Sequence, residues 1–344
     1  MSVKGINQVR VSEWFDSHVA GAQSPFDFEL ITGGHSNLTF RVTDSAGSSF
    51  VLRRPPTGAV IATAHDMARE HRIISALQRT DVPVPPTLGL CEEIEVNDAP
   101  FYVMDYVEGI VLSDETITAE RILLPQRAQL GERVVEVLAA LHAVNPEEVG
   151  LGDLGRKEAY IPRQLKRWRT QWEKTKTREL AAMDDVFEGL QENMPEQVGA
   201  TIVHGDYRLG NMLSTEEGDI AAVLDWELCT LGDPLADLGY LLNNWGEPGE
   251  DGPLARGAAM SPTSAGGFLS RSEVVKRYES LTGRDASRIA YYQAFQFWRL
   301  AAIVEGVLSR YSQGVMGDGD ANTEVFRMQV DALAQSAVTL LDEL

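Results

Sequence analysis

The residues best suited to chemistry lie in the second half of the chain, in the segment His204-Gly205-Asp206 and at Asn211 and Asp225. Asp206 and Asn211 stand five residues apart in a stretch with few apolar side chains, and Asp225 ends the apolar run AAVL. Carboxylate and amide oxygens bind hard cations such as Mg²⁺, and a carboxylate that is not a ligand can accept a proton from a substrate hydroxyl. This layout predicts phosphoryl transfer. The alternative is a polar turn in which Asp225 caps a helix.

A glycine-containing segment, TGGHSNL at 32–38, lies between two strand candidates. Two glycines allow the backbone to approach a ligand closely, so that N–H groups could cradle a phosphate. A simple hairpin turn at Gly33-Gly34 explains the same residues, and it is the favoured interpretation without further context.

A charged pair is predicted between a strand and a helix of the first hundred residues. Arg53 ends the strand FVLR and shares a face with Val51, whereas Glu70 lies on an otherwise apolar helix face. The apolar residues of that face are Met67, Ile74 and Leu77. A buried carboxylate is costly without a cation, so we expect Arg53 to pair with Glu70. The alternatives are a solvated Glu70 or a local partner in His71 or Arg72.

The wider pattern changes from strands to helices along the chain. The predicted strands lie at 28–32, 38–43, 50–53 and 100–107, and the predicted helices at 64–79, 134–144, 163–180, 287–311 and 322–342. This order predicts an α+β fold with a strand-rich lobe at 1–104, a connector at 105–109 and a larger helical lobe at 110–344.

The segment VHGDYRLGN, followed by AVLDWELCTLGDPLADLGYL, resembles the aminoglycoside phosphotransferase (choline kinase-like) family, and the resemblance extends from about Leu30 to Leu242. It implies the two-lobed protein kinase-like fold, with a small antiparallel sheet and one main helix before a larger helical lobe. It also implies that Asp206 is the catalytic aspartate and that Asn211 and Asp225 are the metal ligands.

The resemblance implies further roles around this centre. Arg53 stands where kinases carry the lysine that holds the nucleotide phosphates, and His204 orients the catalytic loop, so that the implied catalytic set is Asp206, His204 and Arg53. Asp233 and Asp237 would brace the loop, although Asp233 before a proline is also an ordinary helix start. The implied nucleotide-binding residues are Gly33, Gly34, Ser36, Asn37, Val51, Arg53, Glu70, Met104, Asp105 and Val107.

Composition excludes several classes of function. The chain has 344 residues, 44% of them hydrophobic, and a formal charge of −21, which opposes non-specific nucleic-acid binding. Cys91 and Cys229 form neither a disulfide framework nor a zinc pattern. We find no secretory signal and no apolar run of membrane-spanning length, so we expect a cytoplasmic protein without a membrane span.

These observations predict a small-molecule kinase that moves the γ-phosphate of ATP or GTP to a hydroxyl, with Mg²⁺ as cofactor. The motifs look closest to the kinase-like domains associated with acyl-CoA dehydrogenases. That resemblance suggests a hydroxyacyl thioester acceptor and association with enzymes of acyl-CoA metabolism, while an aminoglycoside-like compound is the other candidate acceptor. A non-catalytic nucleotide-binding regulator is the alternative, favoured only by Arg53 in place of lysine. A purely structural module would not need these polar spacings.

Overall fold

The computed structural model describes residues 3–31, 37–57, 66–250, 261–312 and 323–344. The chain divides into two compact units. The first consists of Met1–Gly109 together with Ala221–Leu228, and the second of Ile110–Ile220 together with Cys229–Leu344.

The segment Ala221–Leu228, which carries Asp225, belongs to the first unit, although the sequence suggested that 110–344 forms one lobe. Its backbone explains this difference. The N–H of Val223 donates to the carbonyl of Pro83 at 2.8 Å, and the 3-10 turn Trp226–Leu228 packs against a helix of the first unit.

The first unit is built on one antiparallel sheet of five strands in the order β1-β2-β3-β5-β4. Its elements are α1 (Gln8–His18), β1 (Asp27–Leu30), β2 (Leu38–Thr43), β3 (Ser49–Arg54), α2 (Met67–Leu77), β4 (Thr87–Cys91), α3 (Ile94–Asn97) and β5 (Phe101–Asp105). All residues of strand β8 (Ile220–Val223) except the first also belong to this unit.

The two faces of this sheet have different neighbours. On one face α1 contributes Trp14 and Phe15 to a buried aromatic core with Phe40 and Phe101. On the other face the register places Val51 opposite Met104 and Arg53 opposite Tyr102, and α2 packs against β4 and β5. Because side chains alternate along a strand, the residues facing α2 form a set separate from the aromatic core.

The second unit is mainly helical. Its elements are α4 (Glu115–Arg121), α5 (Leu124–Ala143), α6 (Tyr160–Thr175), α7 (Ala181–Glu192), β6 (Thr201–Val203), β7 (Met212–Ser214), β9 (Thr230–Gly232), α8 (Leu235–Asn243), α9 (Arg271–Thr282), α10 (Ile289–Ser312) and α11 (Thr323–Leu341). Helix α10 packs against α6, α7, α8 and α11, and β6 pairs with β9 in antiparallel fashion. These contacts hold the loop after β6 and the start of α8 in one framework.

The α+β prediction is confirmed, with an antiparallel sheet early in the chain and helices after it. One predicted helix, 163–180, begins earlier and ends sooner than predicted, because α6 spans Tyr160–Thr175. Helix α6 ends at Thr175, and α7 begins at Ala181, because the N–H and hydroxyl of Thr177 donate to the buried carboxylate of Glu305. Among the described residues, no helix combines the length and apolar character that crossing a bilayer requires.

Candidate active site

Arg53 is the charged centre of the first unit. Its Nε atom lies 3.2 Å from the Glu70 carboxylate, and its Nη2 atom lies 2.6 Å from Oδ1 of Asp225. The pair with Glu70 is the one expected from the sequence. The second pair is new, and it follows from the return of residues 221–228 to this unit.

Glu70 is nearly inaccessible to solvent, at 2% exposure. Burial raises the pKa of its carboxyl group to about 7, although the adjacent Arg53 guanidinium acts in the opposite direction. The hydroxyl of Tyr102 also hydrogen-bonds to Glu70, from the strand position opposite Arg53. This tyrosine contact was not predicted, because it depends on the pairing of β3 with β5.

Asp225 follows β8 with a φ of +65°, in the left-handed region that aspartate tolerates better than most residues. Its side chain keeps 30% of its accessible surface. Two residues on, Glu227 accepts a hydrogen bond from Asn37 Nδ2 at 3.4 Å. Of the predicted phosphate loop, Gly33, Gly34 and Ser36 lie outside the described residues.

Of the residues expected at the adenine, Val51 and Met104 lie on the same side of the sheet as Arg53, whereas Asp105 pairs with Phe50 and lies on the other side. Val51 and Met104 are buried directly opposite each other, and Asp105 and Val107 are half-buried at the end of β5 and just beyond it. By contrast, Arg54 is buried and donates to the backbone carbonyls of Gly5 and Asn97, so it has a structural role.

In the second unit, Asp206 lies in the loop that leaves β6. Gly205 turns the chain there with a φ of +85°, which an L side chain rarely adopts. Asn211 Nδ2 donates to Asp206 Oδ2 at 2.6 Å and to the Asp206 carbonyl at 2.9 Å. The spacing of five residues therefore closes the loop on itself and fixes the carboxylate.

Two residues that the sequence interpretation did not single out also contact the Asp206 carboxylate. The Tyr240 hydroxyl, from α8, hydrogen-bonds to it. Arg208 Nε lies 3.4 Å from Oδ1. Tyr240 follows Asp206 by 34 residues, so only the folded chain brings the two together.

Asp237 anchors the loop from below, as the resemblance implies. Its carboxylate accepts from the N–H of His204 at 2.7 Å and from the N–H of Gly205 at 2.9 Å, and it is fully buried. The His204 ring accepts a hydrogen bond from the N–H of Asp206 at 3.2 Å. Asp233 instead accepts from the N–H of Leu235, which supports the start of α8 rather than the loop.

Each unit, taken by itself, offers oxygen atoms of the kind that a magnesium ion binds. The Asn211 nitrogen is committed to Asp206, so its amide oxygen is the atom left for a cation, and Asp225 offers a partly exposed carboxylate. Three or more His, Cys, Asp or Glu residues do not gather into a metal cluster in the part of the chain that the structure describes. Mg²⁺ does not need such a cage, because it takes one or two carboxylates together with substrate phosphates.

Comparison with known proteins decides the family. A sequence model of the phosphotransferase enzyme family matches residues 27–265. The chain belongs to this family. A crystal structure of a Ralstonia eutropha protein, provisionally described as an aminoglycoside phosphotransferase, superposes on this phosphotransferase-family chain with a TM-score of 0.82. The two are 32% identical, and the match covers 98% of each chain.

More distant structures share the fold of this family member. The ternary complex of aminoglycoside phosphotransferase APH(4)-Ia with ADP and hygromycin B has a TM-score of 0.59 at 18% identity, covering 96% of this chain and 98% of that one.

Curated relatives of this family member are larger proteins. Mouse acyl-CoA dehydrogenase family member 10 is 34% identical over 84% of this chain, which is 27% of the relative's length. Human acyl-CoA dehydrogenase family member 11 is 31% identical over 89% of this chain, or 39% of its own length. The chain therefore spans well under half of these relatives.

Proposed function

We propose that this chain is a small-molecule kinase that transfers the γ-phosphate of ATP or GTP to a hydroxyl group. The observation that carries the proposal is the Asp206 carboxylate, which accepts hydrogen bonds from Asn211 and Tyr240 in a loop anchored by Asp237. A carboxylate held in this way can orient a hydroxyl and accept its proton as the oxygen attacks phosphorus.

Arg53 and its neighbours are proposed to hold the nucleotide. A guanidinium remains charged at any physiological pH and can grip phosphate oxygens through two N–H groups, so arginine can serve where kinases use lysine. Glu70 fixes the Arg53 side chain on the sheet, and Val51 and Met104 offer an apolar surface for the base. The binding of ADP by the structural neighbour APH(4)-Ia supports the choice of an adenine nucleotide.

Mg²⁺ is proposed to be the cofactor, with Asp225 and Asn211 as its protein ligands; when bound, it would neutralise charge on the phosphates. Arg53 Nη2 lies 2.6 Å from Asp225 Oδ1, so a cation bound by Asp225 would share this carboxylate with the arginine. We therefore propose that Arg53 turns from Asp225 to the nucleotide phosphates on binding, while keeping Glu70 as its partner.

The acceptor is proposed from the relatives. The kinship with acyl-CoA dehydrogenase family members supports a hydroxyacyl thioester and association with enzymes of acyl-CoA metabolism. The fold neighbour that binds hygromycin B supports an aminoglycoside-like compound as the second candidate. A non-catalytic nucleotide-binding regulator is the alternative function. It is favoured by the ion pair between Arg53 and Asp225, because this pair engages the carboxylate that is proposed to bind the metal.

Calorimetric titration with ATP and GTP, each with and without Mg²⁺, tests the nucleotide site. We expect magnesium-dependent binding that Asp225→Ala weakens at least tenfold, or about 1.4 kcal/mol. Asp185→Asn, a change at an exposed position on α7, is the control and should bind like the unmodified chain. Absence of binding by either nucleotide would overturn the proposal.

Release of ADP or GDP in the presence of hydroxyacyl thioesters and aminoglycosides then separates the kinase from the regulator. Acceptor-dependent release supports the kinase. Nucleotide binding without transfer to any member of the panel supports the regulator.

A further inference from the structure

Two arginines of the second unit flank one tryptophan ring. The guanidinium carbon of Arg167, on α6, lies 5.2 Å from the centre of the Trp168 ring, and that of Arg299, on α10, lies 5.4 Å from the same centre. We refer to these three residues as the Arg167–Trp168–Arg299 cluster. Both cations are within the range of a favourable cation–π contact.

The two arginines of this cluster have no carboxylate partner among the described residues, unlike several other arginines of the same unit. Within the described ranges, neither Arg167 nor Arg299 has a carboxylate oxygen within 4 Å, and the charges that act on Arg167 are those of Arg299 and Tyr160. Other arginines of the same unit do contact carboxylates: Arg133, Arg169, Arg178, Arg271 and Arg277. With 51 acidic and 30 basic residues in the chain, two adjacent cations without an acid are unexpected.

Arg299 is buried, with only 7% exposure, yet the protein does not satisfy it completely. Its Nη1 atom donates to the carbonyl of Gly205 at 3.0 Å and to Gln296 at 2.9 Å. Its Nε–H group has no hydrogen-bond acceptor among the residues that the structure describes. Arg167, in contrast, is exposed. Partial burial of its guanidinium, together with the nearby positive charge of Arg299, lowers the pKa of Arg167.

The cluster adjoins the loop that carries Asp206. Arg299 holds the carbonyl of Gly205, the residue immediately before Asp206. Its guanidinium also lies 5.9 Å from the ring centre of Tyr240, whose hydroxyl hydrogen-bonds to Asp206. A molecule that contacts both Asp206 and the exposed Arg167 would therefore pass over this cluster.

We infer that the Arg167–Trp168–Arg299 cluster binds an anionic group, a phosphate or a carboxylate, of the hydroxyl acceptor. An anion offsets two neighbouring positive charges that the protein leaves without a counter-charge, and guanidinium groups match phosphate and carboxylate geometry. The apolar ring of Trp168, which both guanidinium groups contact, adds an aromatic surface to this cluster. This inference rests on the proposed kinase function, and it favours an anionic acceptor over a polycationic one.

Binding of simple anions tests the cluster directly. Thermal unfolding of the full chain is followed against sodium phosphate and against sodium acetate, at ionic strength matched with sodium chloride. Arg167→Gln is the test variant, because its exposed side chain can be changed without disturbing the fold. Lys166→Gln removes the same charge from the neighbouring exposed position on α6 and is the matched control.

We expect at least one of the two anions to stabilise the unmodified chain and Lys166→Gln equally, with an apparent affinity at least tenfold weaker in Arg167→Gln. The anion that binds more tightly identifies the acceptor group as phosphate or carboxylate. Equal binding by Arg167→Gln and the unmodified chain, or no binding of either anion, overturns the inference.

Phosphoryl transfer to a hydroxy acid is then compared with transfer to the neutral amide of the same acid. This comparison distinguishes a failure of the anion site from a failure of the proposed kinase function. A preference in kcat/KM for the acid that Arg167→Gln abolishes supports both. Anion binding that depends on Arg167, without transfer to any acceptor, removes the kinase function and leaves the anion site. Transfer that is indifferent to Arg167 leaves the kinase function and removes the anion site.

Discussion

Asp237 is the residue on which the geometry of the Asp206 loop depends most. Both of its carboxylate oxygens accept backbone N–H groups of the loop, without access to solvent. In Asp237→Asn an amide N–H₂ would face one of these donors and the charge-assisted bonds would be lost. We expect a decrease of about 2–4 kcal/mol in the free energy of unfolding, measured by urea titration.

The exposed Asp185→Asn change is the matched control for this substitution. It removes the same charge from a solvated helix position, where an effect within about 0.5 kcal/mol is expected. Equal stability of Asp237→Asn and Asp185→Asn would contradict the anchoring role.

We expect His142 to make the stability of the protein depend on pH. It is fully buried between the Tyr278 hydroxyl and the Asp237 carboxylate, and burial lowers its pKa despite that carboxylate. Below about pH 6.5 the unfolded chain takes up a proton that the folded chain excludes, so stability falls as the pH falls. His142→Gln keeps a donor for Asp237 but does not titrate.

The unmodified chain should therefore lose more stability than His142→Gln between pH 7.5 and 5.5, and the difference between the two should shrink as the pH falls. Melting temperatures of both proteins over this range provide the measurement. Parallel curves would show that His142 does not contribute.

At the residue scale, local spacing in the sequence predicted site residues, but contacts between residues distant in the sequence could not be predicted. The apolar stripe around Glu70 indicated its pairing with Arg53, which the structure contains. The five-residue separation of Asp206 and Asn211 marked both as polar site residues, but the hydrogen bond between them was not predicted. Tyr240 and Arg299 reach the same loop from α8 and α10. Nothing in their local sequence distinguishes them from ordinary helix residues.

Among the elements, α8 and α10 approach closely because Gly239 has no side chain. A Cβ atom there would lie 2.9 Å from the Tyr292 carbonyl carbon and 2.9 Å from its Cβ. The backbone of Tyr292 cannot move aside without separating α8 from α10. Gly239→Ala should therefore destabilise the protein by about 1–3 kcal/mol, although alanine favours a helix by about 1 kcal/mol.

Gly306, in α10, is the internal comparison. A Cβ atom at this position would lie 3.7 Å from the nearest atoms, those of Gln171 and Thr175, which is ordinary contact. Gly306→Ala should stabilise the protein by about 0.5–1 kcal/mol. Urea titration of both variants checks the pair, and the same sign for the two would contradict the packing argument.

Element prediction succeeded where apolar periodicity was strong, as for β2, β3, β5, α10 and α11. Helix α1 and strand β4 were not predicted, because α1 mixes polar residues with its core positions Trp14 and Phe15, and β4 contains Gly89. The break between α6 and α7 depends on Glu305, which lies more than 120 residues away. Local pattern cannot show such a contact.

At the scale of the whole molecule, the chain returns to its first unit once, at Ala221–Leu228. Because of this return, Asp225 forms an ion pair with Arg53 within the first unit, whereas Asp206 and Asn211 belong to the second unit. The sequence order alone suggested a single division after the connector. The predicted roles nevertheless divide in the same way, with nucleotide-binding residues assigned to the first unit and the proton acceptor to the second.

The central claim is that Asp206 acts in phosphoryl transfer and not in nucleotide binding. Phosphate release from Mg·ATP and Mg·GTP, with water and then with the best hydroxyl acceptor, is compared between the unmodified chain and Asp206→Asn, and the affinity for Mg·AMP-PNP is measured in parallel. The account predicts transfer reduced by about 10²–10⁴-fold at unchanged nucleotide affinity. Transfer by Asp206→Asn at the unmodified rate would contradict it.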